Sequence, residues 1–105
     1  MAGVKWTPKA RIALREIAGY IARQSGHPGV ADKFVDTIHT KSASYGRQPM
    51  MGSIHEELPD GFRYFTHNRH VIIYEKTTDG IVIHLVIDSA REWTRLFGLL
   101  AEEEN

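Results

Sequence analysis

The sequence has no cysteine, no long apolar run and no net charge, and each absence excludes a class of protein. Without cysteine, the 105-residue chain has neither a disulfide framework nor a thiolate metal site. No apolar stretch approaches the roughly 20 residues that span a bilayer, and no signal-like hydrophobic region precedes the first strand. We therefore expect a single cytoplasmic domain over residues 1–105, with no membrane association, no metal and no cofactor.

The charges that are present are unevenly distributed. Residues 1–50 carry eight Lys or Arg against three acids, a net +5, whereas residues 51–105 carry five against ten acids, a net −5. A protein that grips nucleic acid by its phosphates usually has a clear basic excess. The overall neutrality therefore predicts no direct, sequence-specific binding of nucleic acid.

Two amphipathic helices are predicted in the first half of the chain. Thr7-Pro8 is typical of a helix start, and apolar residues then recur at helical spacing over about residues 8–24. Gly26-His27-Pro28-Gly29 ends this helix. A second stripe, with spacings of four and three, predicts a helix that ends before Gly46; its members are Val30, Phe34, Ile38, Ser42 and Tyr45. The short loop between them predicts an antiparallel helical hairpin.

The second half has the patterns of strands. A short first strand closes at Lys5-Trp6, residues 53–58 suggest a weak edge strand, and strands are predicted over 62–66, 71–74 and 81–87. His84 interrupts the last of these, a predicted central strand, and we expect it to be hydrogen-bonded there. A short helix over 90–101 follows. The prediction is an α+β fold: an N-terminal antiparallel helical hairpin packed on a small antiparallel β-sheet, with a short C-terminal helix. One sheet face should stay partly uncovered and available to a partner.

Four segments, in order along the chain, resemble the ParE branch of the RelE/ParE toxin superfamily. The first is Val4-Lys5-Trp6-Thr7-Pro8-Lys9-Ala10, followed by Leu14, Ile17 and Tyr20-Ile21-Ala22. The others are Pro49-Met50-Met51-Gly52 with Glu57-Leu58-Pro59-Asp60-Gly61-Phe62-Arg63, then His70-Val71-Ile72-Ile73-Tyr74, and finally Ile83 through Glu92. The resemblance covers about residues 4–97. It implies a RelE/ParE-like fold and a toxin of a type II toxin–antitoxin system, neutralised by a cognate antitoxin that wraps around it.

The superfamily includes two activities on one scaffold. ParE-like members poison DNA gyrase, and RelE-like members cleave messenger RNA in the ribosome. Cleavage through the ribose 2′-hydroxyl needs proton transfer and cations. By the resemblance, Phe65, Val71 and Phe97 stand where the ribonucleases carry a cation, an arginine and a catalytic tyrosine. Most of that constellation is missing, so we expect no catalytic residues and favour gyrase inhibition through protein contact.

Arg63 and Arg91 keep the two cations of the motifs. We expect Arg63, Arg91, Trp93 and Phe97 to contact the target or the antitoxin; in a ribonuclease, Arg63 and Arg91 would be catalytic. The structural alternatives are ion pairs of the arginines with Asp88 or Glu57, and packing of the two aromatics on the open sheet face. Asp88 itself replaces the histidine that is usual in the ParE pattern.

Three functions stay open on these residues. The preferred one is a gyrase inhibitor held inactive by an antitoxin, the second is a ribosome-dependent mRNA interferase, and the third is a non-toxic family member that only binds a protein partner. We also expect the chain alone to be poorly soluble or a homodimer, because an apolar partner surface is left exposed.

Overall fold

A computed structural model describes residues 3–88, which form two helices and a four-stranded sheet. The chain runs through β1 (Gly3–Trp6), α1 (Pro8–Ser25), α2 (Pro28–Arg47), a 3-10 turn (Pro49–Met51), β2 (Phe62–His67), β3 (His70–Thr77) and β4 (Gly80–Asp88). The predicted α+β class and helical hairpin are confirmed. The helix predicted over 90–101 lies outside the described residues.

The helix ends follow from local chemistry. The Thr7 hydroxyl accepts a hydrogen bond from the Ala10 amide at 3.1 Å, and Gly26 closes α1 in a left-handed conformation with φ of 71°. The prediction for α2 is two residues too short at its C-terminus, because the helix continues to Arg47. Gly46 remains helical and buried, because its missing side chain lets β1 approach: a Cβ there would lie 2.9 Å from Val4 Cγ2.

The sheet has the order β1-β4-β3-β2 and is mixed, not wholly antiparallel as predicted. β2, β3 and β4 form an antiparallel meander, whereas β1 pairs in parallel with β4 from Gly3 opposite Gly80 to Trp6 opposite Ile83. No hairpin turn joins β1 to its neighbour, so nothing local imposes antiparallel pairing. β4 is a central strand, as predicted.

A β-bulge lies at His84 in the middle of β4. Ile73 pairs with Leu85 but Tyr74 pairs with Ile83, which leaves His84 as the extra residue. The Thr7 hydroxyl donates to the His84 carbonyl at 3.2 Å, and His84 Nε2 lies 3.1 Å from Glu75 Oε1. The bulge therefore joins the start of α1 to the sheet, and the predicted hydrogen-bonded state of His84 is confirmed.

Apolar side chains are buried on both faces of the sheet. The helical hairpin covers one face, where the largest buried side chains include Ile38, Ile72, Tyr74, Ile81 and Ile83. On the other face, Leu58 and Phe62 pack with Val71, Ile73 and Leu85, which are at most 2% exposed. These three side chains are therefore covered, and the expectation that part of this face stays open to a partner remains a prediction.

The predicted edge strand over 53–58 is also wrong. Only Ser53 pairs with the sheet, through two backbone hydrogen bonds of 2.9 Å with Tyr64. The chain then turns, with the Leu58 amide donating to the His55 carbonyl at 2.9 Å, and this turn accompanies the packing of Leu58 on the sheet. Within residues 3–88, neither helix has the length and apolarity to cross a membrane.

Candidate protein-binding surfaces

The first candidate surface is the anchored turn, residues 49–54, between α2 and the sheet. Tyr74 reaches it from the middle of β3, with a side chain that is 0% exposed. The Tyr74 hydroxyl donates to the Pro49 carbonyl at 2.5 Å and accepts from the Gly52 amide at 3.0 Å. Burial raises the pKa of Tyr74 above its usual 10.0, although the Gly52 hydrogen bond and the Arg63 charge oppose this. The hydroxyl therefore stays protonated and keeps both bonds at neutral pH.

Arg63 holds the same turn from β2. Its Nη1 donates to the Gly52 carbonyl at 2.8 Å, so the amide and the carbonyl of Gly52 are both bound by side chains. The predicted ion pair of Arg63 with Asp88 or Glu57 is not what the structure shows. Asp88 instead pairs with Arg69, at 2.7 Å between Oδ2 and Nη2. Arg63 is therefore a positioning residue for the turn.

The anchored turn presents apolar side chains to solvent. Met50 is 61% exposed, Met51 50% and Ile54 72%. These are three of the six large hydrophobic residues that are exposed among residues 3–88, and they lie within five positions of one another. An apolar cluster on a rigid backbone is typical of a protein contact.

The second candidate surface is a groove at the opposite end of β3, which we call the tip groove. One arm, of about 490 Å³, lies between α1 and the end of β4; the other, of about 480 Å³, lies between α2 and the turn that joins β2 to β3. The arms share Ile21, Arg69 and His70. The exposed lining of both arms is mainly apolar, with Lys33 in one arm and Glu16 and Asp88 in the other. The shape and chemistry suit an amphipathic segment of another chain.

Two histidines lie in the tip groove, and their surroundings lower the pKa of both rings. Their rings pack on Phe34, at centroid distances of 5.6 Å for His67 and 5.2 Å for His70. His70 Nδ1 is buried without a hydrogen-bond partner in the described part of the chain. No cluster of three metal-ligating side chains occurs between residues 3 and 88.

The pKa values of both histidines lie below 6.5, mainly because burial disfavours the charged ring, and Lys41 adds to this at His67. At His70, Asp88 acts in the opposite direction and Arg69 in the same one. The unfolded chain therefore binds more protons than the folded chain just below pH 6.5. By linkage, the stability contributed by the neutral rings is complete above pH 6.5. It is lost as the pH falls from there through the lowered pKa values of the folded chain.

We therefore expect His70→Gln to reduce the acid-side loss of stability. Urea unfolding at a series of pH values from about 7.5 to about 5 measures this across the titration range of histidine. The free energy of unfolding should fall less steeply below pH 6.5 in the variant than in the wild type. Equal slopes would show that His70 does not titrate differently in the two states.

The structure tests the sequence-based site residues only in part. Arg63 is described, and it holds the turn. Arg91, Trp93 and Phe97 lie outside the described residues, so their predicted contacts stay predictions. Sequence reasoning missed the roles of Tyr74 and Gly52. The only available signal was that Gly52 follows Pro49-Met50-Met51 in a segment typical of the family, because Tyr74 looked like any apolar strand residue.

The comparisons with known proteins now decide the family. A family model described as "ParE toxin of type II toxin-antitoxin system, parDE" matches residues 4–93. The chain belongs to the ParE toxin family. A solved structure titled "Chromosomal ParDE TA system from P. aeruginosa" is similar to this ParE-family chain, with a TM-score of 0.70 and 22% identity over 84% of this chain and 96% of that one. Among curated proteins there is no significant match.

Two positions that distinguish this ParE-family chain from the ribonuclease branch are buried. Phe65 and Val71 stand where the resemblance places cations in the ribonuclease branch, and they are 4% and 1% exposed. They lie in the cores on opposite faces of the sheet. A buried cation without a partner costs several kcal/mol, so these two positions could not simply exchange an apolar residue for a phosphate-binding one.

Proposed function

We propose that this ParE-family toxin inhibits DNA gyrase by protein contact and is held inactive by a cognate antitoxin. The observation that carries the proposal is that the chain presents two candidate protein-binding surfaces on a scaffold of the ParE family. The motif positions that lie within residues 3–88 argue against cleavage of RNA. Arg63, one of the two retained motif cations, is bound to the Gly52 carbonyl, and Phe65 and Val71 are core residues.

The tip groove is the surface that we assign to the antitoxin. It is concave, and its two arms continue past the shared residues Ile21 and His70, so that a single extended or helical segment can follow both. The arm beside α2 carries Lys33, and the arm beside α1 carries Glu16. An antitoxin segment with apolar residues and a charge gradient of the opposite sense fits this distribution.

The experiment that tests the function compares two targets. Purified full-length chain is added to a DNA gyrase supercoiling reaction and to a translating ribosome reaction with a reporter message. We expect inhibition of supercoiling and an intact message. Cleavage of the message with normal supercoiling would establish the interferase instead, and an effect in neither reaction would leave only the non-toxic binding protein.

A further inference from the structure

We propose that the anchored turn is the surface through which the toxin contacts its target, and that the target offers it a concave apolar site with an acidic rim. This inference rests on the proposed function, because it assumes a protein target. It assigns the target to one end of the sheet and leaves the tip groove to the antitoxin.

The anchored turn is rigid without help from its own apolar side chains. Polar bonds fix its backbone at Pro49 and Gly52, and the Met51 amide donates to the Gln48 carbonyl at 3.0 Å. Ser53 is then paired with Tyr64. Met50 and Met51 are therefore held outward by a backbone that the buried Tyr74 anchors. A surface that is already ordered loses little conformational entropy on binding.

The anchored turn differs from the tip groove in shape and in side-chain chemistry. The tip groove is a depression, whereas the anchored turn leaves three apolar side chains at least half exposed. Projecting side chains fit a depression in the partner. Methionine is flexible and polarizable, so two adjacent methionines can adapt to an apolar surface that is not their exact complement. Burying such side chains removes apolar area from water, which favours association.

Charged side chains border the anchored turn. A cleft of about 420 Å³ adjoins the turn at Pro49, and its ionisable lining residues are Arg47, Lys76 and Asp79. Two cations against one acid make this border basic. A complementary partner would therefore carry acids at the rim of its apolar site.

The position of the turn separates it from the tip groove. The turn is anchored by Tyr74 and borders the cleft that Thr77 and Gly80 line, at the C-terminal end of β3. The tip groove is lined by Arg69 and His70, at the N-terminal end of the same strand. Substitutions at the turn should therefore spare antitoxin binding.

The test uses the double variant Met50→Glu with Met51→Glu in the full-length chain. The matched control is Ile12→Glu, which replaces an exposed apolar residue (52%) outside both surfaces. Purified DNA gyrase is the target probe, and the cognate antitoxin is the second probe. We expect the double variant to need about tenfold more protein for half-inhibition of supercoiling. Its antitoxin affinity and thermal midpoint should match those of the control.

A second variant tests the charge argument separately. Lys76→Glu reverses one charge at the border of the turn, on an exposed position of β3. We expect weaker inhibition at low salt and a smaller difference from wild type at high salt, because the exposed charges are then screened. Equal inhibition by wild type and Lys76→Glu at low salt would contradict the proposal that the target site has an acidic rim.

The other outcomes of the gyrase assay also decide between the proposals. If the wild type inhibits gyrase and the double variant does so equally, the turn is not the target surface. If the double variant loses antitoxin binding and keeps inhibition, the turn belongs to the antitoxin and the inference is overturned. A wild type that arrests growth without inhibiting gyrase would refute the gyrase proposal alone, and growth arrest by the same variants would then test the turn. A non-toxic wild type would refute both.

Discussion

Gly52→Ala should destabilise the fold by about 3 kcal/mol or more, which for a domain of this size lowers the melting midpoint by more than about 12 °C. Gly52 has φ of −68°, so the backbone itself tolerates alanine. The cost comes from space, because an added Cβ would lie 2.1 Å from the Tyr74 hydroxyl and 2.8 Å from two ring carbons. Tyr74 cannot move aside, since it is fully buried against the helices. Either the turn or the ring must shift, and the Gly52 amide and the Pro49 carbonyl then lose their hydrogen bonds to the hydroxyl.

The matched control for this prediction is Gly29→Ala. Gly29 lies in the first turn of α2, and a Cβ there would meet nothing within 4 Å. Alanine is the better helix former, so the midpoint should stay the same or rise slightly. Differential scanning calorimetry of both variants gives the comparison. A Gly52→Ala midpoint equal to that of the control would contradict the anchored turn.

A double-mutant cycle identifies the cause of the Gly52→Ala effect. Tyr74→Phe alone should cost about 1–3 kcal/mol, because it leaves the Gly52 amide and the Pro49 carbonyl without their partner. Gly52→Ala should then cost less in the Tyr74→Phe background than in the wild type, since the atom nearest to the new Cβ is gone. Strict additivity would mean that the two residues do not act on one contact.

Tyr20→Glu should weaken antitoxin binding by about thirtyfold or more, as expected when an aromatic anchor of an interface is replaced by a charge. Tyr20 lines the α1 arm of the tip groove and is 57% exposed, so the folded chain does not depend on it. The new carboxylate removes the apolar ring from the arm and must be taken out of water when the antitoxin segment binds there. Isothermal titration of the antitoxin into each variant measures the change.

Ile12→Glu is again the matched control, because Ile12 is on the same helix, is similarly exposed and does not line the groove. It should bind the antitoxin as the wild type does. Gyrase inhibition by Tyr20→Glu should equal that of the wild type, since the target surface is elsewhere. Unchanged antitoxin affinity in Tyr20→Glu would place the antitoxin outside the α1 arm of the groove.

The elements that the sequence predicted well are those encoded by nearby residues. Thr7-Pro8 and Gly26 bound α1 within one residue of its observed ends, because caps and breakers act locally. The three strands of the meander were recognisable for the same reason, although β3 continues to Thr77, three residues beyond its predicted end. The prediction of an edge strand over 53–58 was wrong because its alternating pattern was weak and Leu58 packs on the face of the sheet.

The parts that could not be predicted depend on contacts between distant residues. The pairing of β1 with β4 joins Gly3 to Gly80, and nothing near either residue specifies its direction. The site has the same limitation. Arg63 stood out as a motif cation, but its partner is a backbone carbonyl 11 positions earlier, and Tyr74 meets the turn across 22 positions. Only the folded chain brings these groups together.

The measurement that tests the account most directly is a supercoiling assay of DNA gyrase with purified toxin, followed by titration of the antitoxin. We expect the toxin to inhibit supercoiling and the antitoxin to restore it stepwise. Restoration should need about thirtyfold more antitoxin for Tyr20→Glu than for the wild type when both are assayed at a toxin concentration below the wild-type Kd. Normal supercoiling at every toxin concentration would contradict the account, as would inhibition that a bound antitoxin fails to relieve.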